Sequence, residues 1–121
     1  MTWWAVALGG LLGAPCRYLV GLAVSVRWGR ERPWGTLAVN LLGSGAAGLL
    51  AGLGPGGQNA TAVALVGVGF LGAFTTASAF AVEVVDLDES GRRGDAVLVV
   101  GLSVVLGLAL ALGAFHVGRA L

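Results

Sequence analysis

In residues 69–80, GFLGAFTTASAF, two threonines and a serine stand among glycines and phenylalanines in a run apolar enough to cross a membrane. Gly69, Gly72 and the adjacent Thr75 and Thr76 weaken the helical ladder at mid-span, because glycine gives up helix propensity and threonine hydroxyls compete for backbone partners. A local break there turns carbonyl oxygens out of their hydrogen bonds. Carbonyls freed in this way suit a hard monovalent cation such as Na⁺, whereas the hydroxyls of Thr76 and Ser78 can donate to an anion. Phe74 and Phe80 are by default packing or lipid-facing residues, yet a phenyl ring edge is electropositive and can line an anion path.

A second polar pattern lies upstream. In GTLAVNLLGSGAAG, Thr36, Asn40, Ser44 and Ala47 follow spacings of four, four and three and so share one helix face. An amide in hydrocarbon is costly unless bonded, so Asn40 either clamps a neighbouring helix or offers its NH₂ to a passing anion. Arg17, in GGLLGAPCRY, is the one basic residue well inside an apolar stretch. It must face the protein interior or an aqueous vestibule, or snorkel to the interface, as a hydrogen-bonding strut or as a lure for anions. Pro15 just before it removes a backbone donor and predicts a bend. No catalytic set accompanies these residues. His116 has no Cys, His or carboxylate at ligand spacing, the serines lack a general base, and Cys16 reads as a small structural residue.

The elements that must carry these residues are membrane spans. Hydrophobic residues make up 57% of the chain and charged ones 11%, with a mean hydropathy of +0.91. These values exclude a soluble domain, and a net charge of +1 gives no case for nucleic acid. Four apolar stretches, roughly residues 3–26, 34–54, 61–84 and 95–118, each approach or exceed the ~20 residues a helix needs to cross a bilayer. They form a single four-span domain. The first is not a cleavable signal, because no basic residue precedes it and its run is too long. Trp3, Trp4, Trp28 and Trp34 fall at headgroup level. Four spans enclose no wide pathway of their own, so transport calls for an oligomer. Glycine spacings such as Gly9/Gly13, Ser44/Gly48/Gly52 and Ser103/Gly107/Ala111 support close helix pairing.

Charge sets an orientation. Arg27, Arg30 and Arg32 in the first connection share a side with Arg92 and Arg93 in the third, while the opposite side carries Arg119. The positive-inside rule then makes connections one and three cytoplasmic and puts both termini outside. The acidic run Glu83, Asp86, Asp88 and Glu89, with Asp95, reads as solvated loop and helix-end charge.

Taken together, GGLLGAPCRY, GTLAVNLLGSGAAG and GFLGAFTTASAF resemble the Fluc (CrcB) fluoride-channel family, whose members are short four-span proteins, and the likeness covers essentially the whole chain. The resemblance implies an all-α membrane protein of the plasma membrane, with its third helix broken mid-membrane. It further implies an antiparallel dimer with fluoride pores at the subunit interface and a structural Na⁺, not transported, at its centre. By position, Gly72 and Thr75 would give that Na⁺ their backbone carbonyls. Asn40, Thr76, Ser78, Phe80 and Ser103 would lie on the fluoride path, and Arg17 would match an arginine near the vestibule.

Departures from the family pattern are specific. Where the family continues TTFSTF this chain has TTASAF, so Ala77 replaces the first ring of a phenylalanine pair and Ala79 a threonine. The fourth span offers Val99 one turn before Ser103 and no tyrosine. An antiparallel homodimer must insert both ways and would carry balanced arginines. The observed bias favours one orientation, and with the missing ring it predicts a heterodimer with an oppositely oriented homologue. The alternatives are a proton-coupled cation or drug exporter, which needs a carboxylate deep in the membrane, and a non-conducting partner subunit.

Overall fold

The protein is described here by a computed structural model covering residues 2–28, 34–54 and 59–121. Arg30 and Arg32 of the first connection lie outside the described residues. All secondary structure in these segments is helical, and four helices are long and apolar enough to cross a membrane: Trp3–Trp28, Trp34–Gly52, Ala60–Glu89 and Arg93–Ala120. We call Trp3–Trp28 α1 and Trp34–Gly52 α2. The third span divides into α3, residues 60–74, and α4, Ser78–Glu89; α5 is Arg93–Ala120.

Local chemistry explains the ends of these elements. Asn59 caps α3, its side-chain oxygen accepting the Ala62 N–H at 2.6 Å. Gly91, at φ 79°, closes α4: the Arg92 N–H reaches back to the Leu87 carbonyl at 2.8 Å, a left-handed glycine cap. The third connection therefore shrinks to three residues, 90–92, and the last two spans run further than their hydropathy suggests. α1 continues as helix through Pro15. Within α3, Val63–Leu71 winds as a π-helix, a rare geometry that often accompanies functional sites.

Glycine decides which helices approach most closely. A Cβ on Gly9 would overlap the Leu65 carbonyl and one on Gly13 the Phe70 carbonyl, so α1 lies backbone to backbone against α3. In the same way Gly48 meets Ala111 and Gly52 meets Phe115, seating α2 on α5. The small-residue stripes that the sequence offered in support of an oligomer thus serve contacts inside the subunit, where the missing Cβ atoms let helix backbones approach and pack closely.

Little else is buried. Val39 and Val99 are each 1% exposed, whereas Trp3, Leu11, Leu19, Val105 and Leu112 project outward, as suits a hydrocarbon surround. α4 and α5 pack through Leu87, Ala96 and Val99, with Phe80 and Val84 against that cluster.

Candidate functional site

Helical hydrogen bonding changes between α3 and α4. Thr75 is extended, with φ −82° and ψ 157°, and the regular ladder resumes with the Ala81 N–H on the Ala77 carbonyl at 2.9 Å. Asn40 on α2 faces this segment and bonds it twice. Its Nδ2 donates to the Thr76 carbonyl and its Oδ1 accepts the Thr76 N–H, both at 2.9 Å. That pairing fixes the orientation of the amide, since the N–H must meet oxygen and the carbonyl must meet NH₂. One amide hydrogen remains uncommitted among the described residues. Clamping a helix and offering a donor, opposed as alternatives in the sequence, are compatible in one carboxamide.

Around this pair lies an open cavity of about 550 Å³. Asn40 and Ser44 line it from α2, Gly72, Thr75, Thr76 and Phe80 from the third span, and Ser103 from α5. The Ser103 hydroxyl is buried and has no hydrogen-bond partner among the described residues. Thr76 Oγ1 lies 3.4 Å from Ser78 Oγ and accepts the Ala79 N–H at 3.2 Å. Thr75 Oγ1 turns back to the Leu71 carbonyl at 2.9 Å. Ala77, where the family pattern has a ring, also lines the cavity and is exposed.

Most of the sequence-derived site residues therefore converge. Asn40, Gly72, Thr75, Thr76, Phe80 and Ser103 share one cavity, and Ser78 adjoins it through Thr76. Arg17, half-buried on α1, is not among the lining residues. Phe74 is buried and stacked on Phe70, with ring centroids 5.7 Å apart, which makes it a packing residue.

The reading of the acidic run as solvated, helix-end charge holds for Asp86, Asp88 and Glu89, which are exposed in the last turn of α4, but needs correction at Glu83. Glu83 is half-buried and accepts the Thr36 hydroxyl at 2.8 Å, while its second carboxylate oxygen is buried without a partner. Asp88 pairs with Arg93 at 2.7 Å and Asp95 with Arg92 at 3.0 Å. Sequence reasoning missed Glu83 as a site neighbour. The available signal was its position one turn after Phe80, matched by Thr36 one turn before Asn40.

No three His, Cys, Asp or Glu side chains converge on a metal among the described residues. A cation at this site would rest on backbone oxygens. The Gly72 and Thr75 carbonyls fit that task, because Thr76 and Ala79, which would donate to them in a continuous helix, donate instead to side-chain oxygens.

Comparison with known proteins decides the family. Residues 4–115 match the family described as CrcB-like protein, Camphor Resistance (CrcB). The chain belongs to the CrcB family. It is 50% identical over 113 residues to a protein of Sphingopyxis alaskensis named fluoride-specific ion channel FluC, covering 90% of this chain and 87% of that one. Similarity to FluC of Hydrogenovibrio crunogenus is 44% over 106 residues, or 86% and 80% of the two chains. FluC 1 of Symbiobacterium thermophilum is 44% identical over 126 residues, covering 93% of this chain and 99% of that protein. The CrcB family match runs through all four helices, and the alignments cover 80–99% of these relatives' lengths.

Proposed function

We propose that this chain is one subunit of a fluoride-selective channel that lets cytoplasmic fluoride leave the cell passively. One observation carries the reading: Ser103, whose hydroxyl is buried and unpaired among the described residues, is one of the residues lining a cavity furnished with neutral donors. Fluoride is small and tightly hydrated, so a path for it must replace water with donors yet release the ion. The free amide hydrogen of Asn40, the hydroxyls of Thr76, Ser78 and Ser103, and the ring edge of Phe80 supply donors without a fixed charge. A membrane potential negative inside drives the anion outward, so conduction alone protects the cell.

A cation exporter would need a carboxylate at mid-membrane. Glu83 bonds Thr36 in the first turn of α2, at the bundle end where Arg27 and Arg92 also lie.

The finer reading has four parts. The third helix breaks mid-membrane at residues 75–77, giving α3 a negative C-terminal end and α4 a positive N-terminal end in the bilayer. The open cavity is closed by a second subunit inserted in the opposite direction. A structural Na⁺ sits on the Gly72 and Thr75 carbonyls, supplying fixed positive charge that holds the subunits together. Both termini face outward, and the partner is a homologue that supplies the ring absent at Ala77.

To test this, the tagged chain is purified from its native membranes with any subunit it carries, reconstituted into liposomes, and compared with the chain produced alone. The expected result is fluoride efflux without chloride efflux from the native complex, and little from the chain alone. Fast selective efflux from the chain alone would remove the need for a partner. Absence of fluoride efflux from both preparations would reject the channel.

A further inference from the structure

We infer that the side chains of Asn40 and Thr76 are positioning residues for the cation site, holding the Gly72 and Thr75 carbonyls open by taking the N–H donors that a continuous helix would give them. The inference rests on the proposal that Na⁺ lies on those carbonyls, and it adds why these two are free. In an α-helix the N–H of residue 76 would bond the carbonyl of 72, and that of 79 the carbonyl of 75. Here the Thr76 N–H goes to Asn40 Oδ1 at 2.9 Å, and the Ala79 N–H goes to Thr76 Oγ1 at 3.2 Å. Each diversion relieves one carbonyl.

Side chains of Asn40 and Thr75 also silence neighbouring oxygens. Thr76 O, which would otherwise compete for a cation, accepts Asn40 Nδ2 at 2.9 Å. Leu71 O receives both the Thr75 N–H at 3.0 Å and the Thr75 hydroxyl at 2.9 Å. The pattern of satisfied and unsatisfied oxygens is therefore written by side chains rather than by the interruption of the helix alone. It joins the two ions: a carboxamide that lines the anion cavity also controls whether a carbonyl is available to the cation. Backbone oxygens left unbonded in an apolar setting are costly, so without a cation the segment gains by re-forming its helical bonds.

The test reads sodium rather than flux. Thermal unfolding of the purified complex in detergent is followed as NaCl replaces KCl at constant ionic strength, and the Na⁺ midpoint is taken from the rise in unfolding temperature. Wild type should show a Na⁺-specific rise. Asn40→Leu and Thr76→Val, which remove one diverting acceptor each, should move the midpoint up about tenfold, the worth of one hydrogen bond. Thr76→Ser, which retains the hydroxyl, should stay near the wild-type midpoint. An unchanged midpoint in Asn40→Leu or Thr76→Val overturns the inference while leaving the Na⁺ proposal intact. If Asn40→Leu does not fold, the Thr76→Val and Thr76→Ser pair decides. A wild-type protein indifferent to Na⁺ against K⁺ overturns the Na⁺ proposal and the inference together.

Discussion

Ser103 is a residue whose cost and use can be separated. Its hydroxyl is buried without a partner, a situation that costs about 1–3 kcal/mol relative to a bonded or absent group. A purely structural position would have no reason to retain it. Ser103→Ala should therefore leave thermal stability unchanged or raise it, while lowering fluoride efflux about tenfold if one donor is lost from the path. Equal losses of stability and efflux would instead make Ser103 a packing residue. Asn40 shows why sequence alone could name a polar residue but not its work. The spacing of Thr36, Asn40 and Ser44 put them on one face, and residues 69–80 announced a weak helix. Neither pattern reveals that one amide meets both backbone groups of Thr76, because that requires the register between α2 and the third span. Glu83 was hidden for a related reason: an acidic run looks solvated until the helix containing it is known to continue against α2.

At the level of elements, the number and order of spans were legible because hydropathy is a property of long windows, whereas helix contacts depend on single glycines. Gly48 shows the difference. A Cβ there would enter the backbone of Ala111, which has no flexible side-chain end to yield. Gly113 on α5 has nothing within 4 Å of the same atom. Gly48→Ala should therefore push α2 from α5 and destabilise the fold by about 2 kcal/mol or more, in the range of overpacking. Gly113→Ala should be neutral or stabilising by up to about 1 kcal/mol through helix propensity alone. Thermal unfolding in one detergent compares them, and equal effects would show that α2 and α5 do not meet at Gly48. The π-helical winding of Val63–Leu71 was not legible in the same way, since Gly67 and Gly69 weaken helix propensity there without choosing between α and π winding.

For the whole molecule, the question is which way the chain lies. The ends of α1 and α4 and the starts of α2 and α5 share one end of the bundle, as the Thr36 to Glu83 bond requires. Arg27, Arg92 and Arg93 gather at that end, and Arg30 and Arg32 belong to the connection between α1 and α2. Arg119 stands near the opposite end. A bias of this size acts at insertion and should fix one orientation. In a Cys16→Ser background, a single cysteine appended after Leu121 should react with a membrane-impermeant maleimide in intact cells to the same extent as after lysis. Replacing Arg92 and Arg93 with Gln, and adding two arginines after Leu121, should bring the intact-cell fraction towards one half. A half-labelled starting protein would show that the chain already inserts both ways. It would then have no need of an oppositely biased partner, and the gap left by Ala77 would have to be closed within a pair of identical subunits.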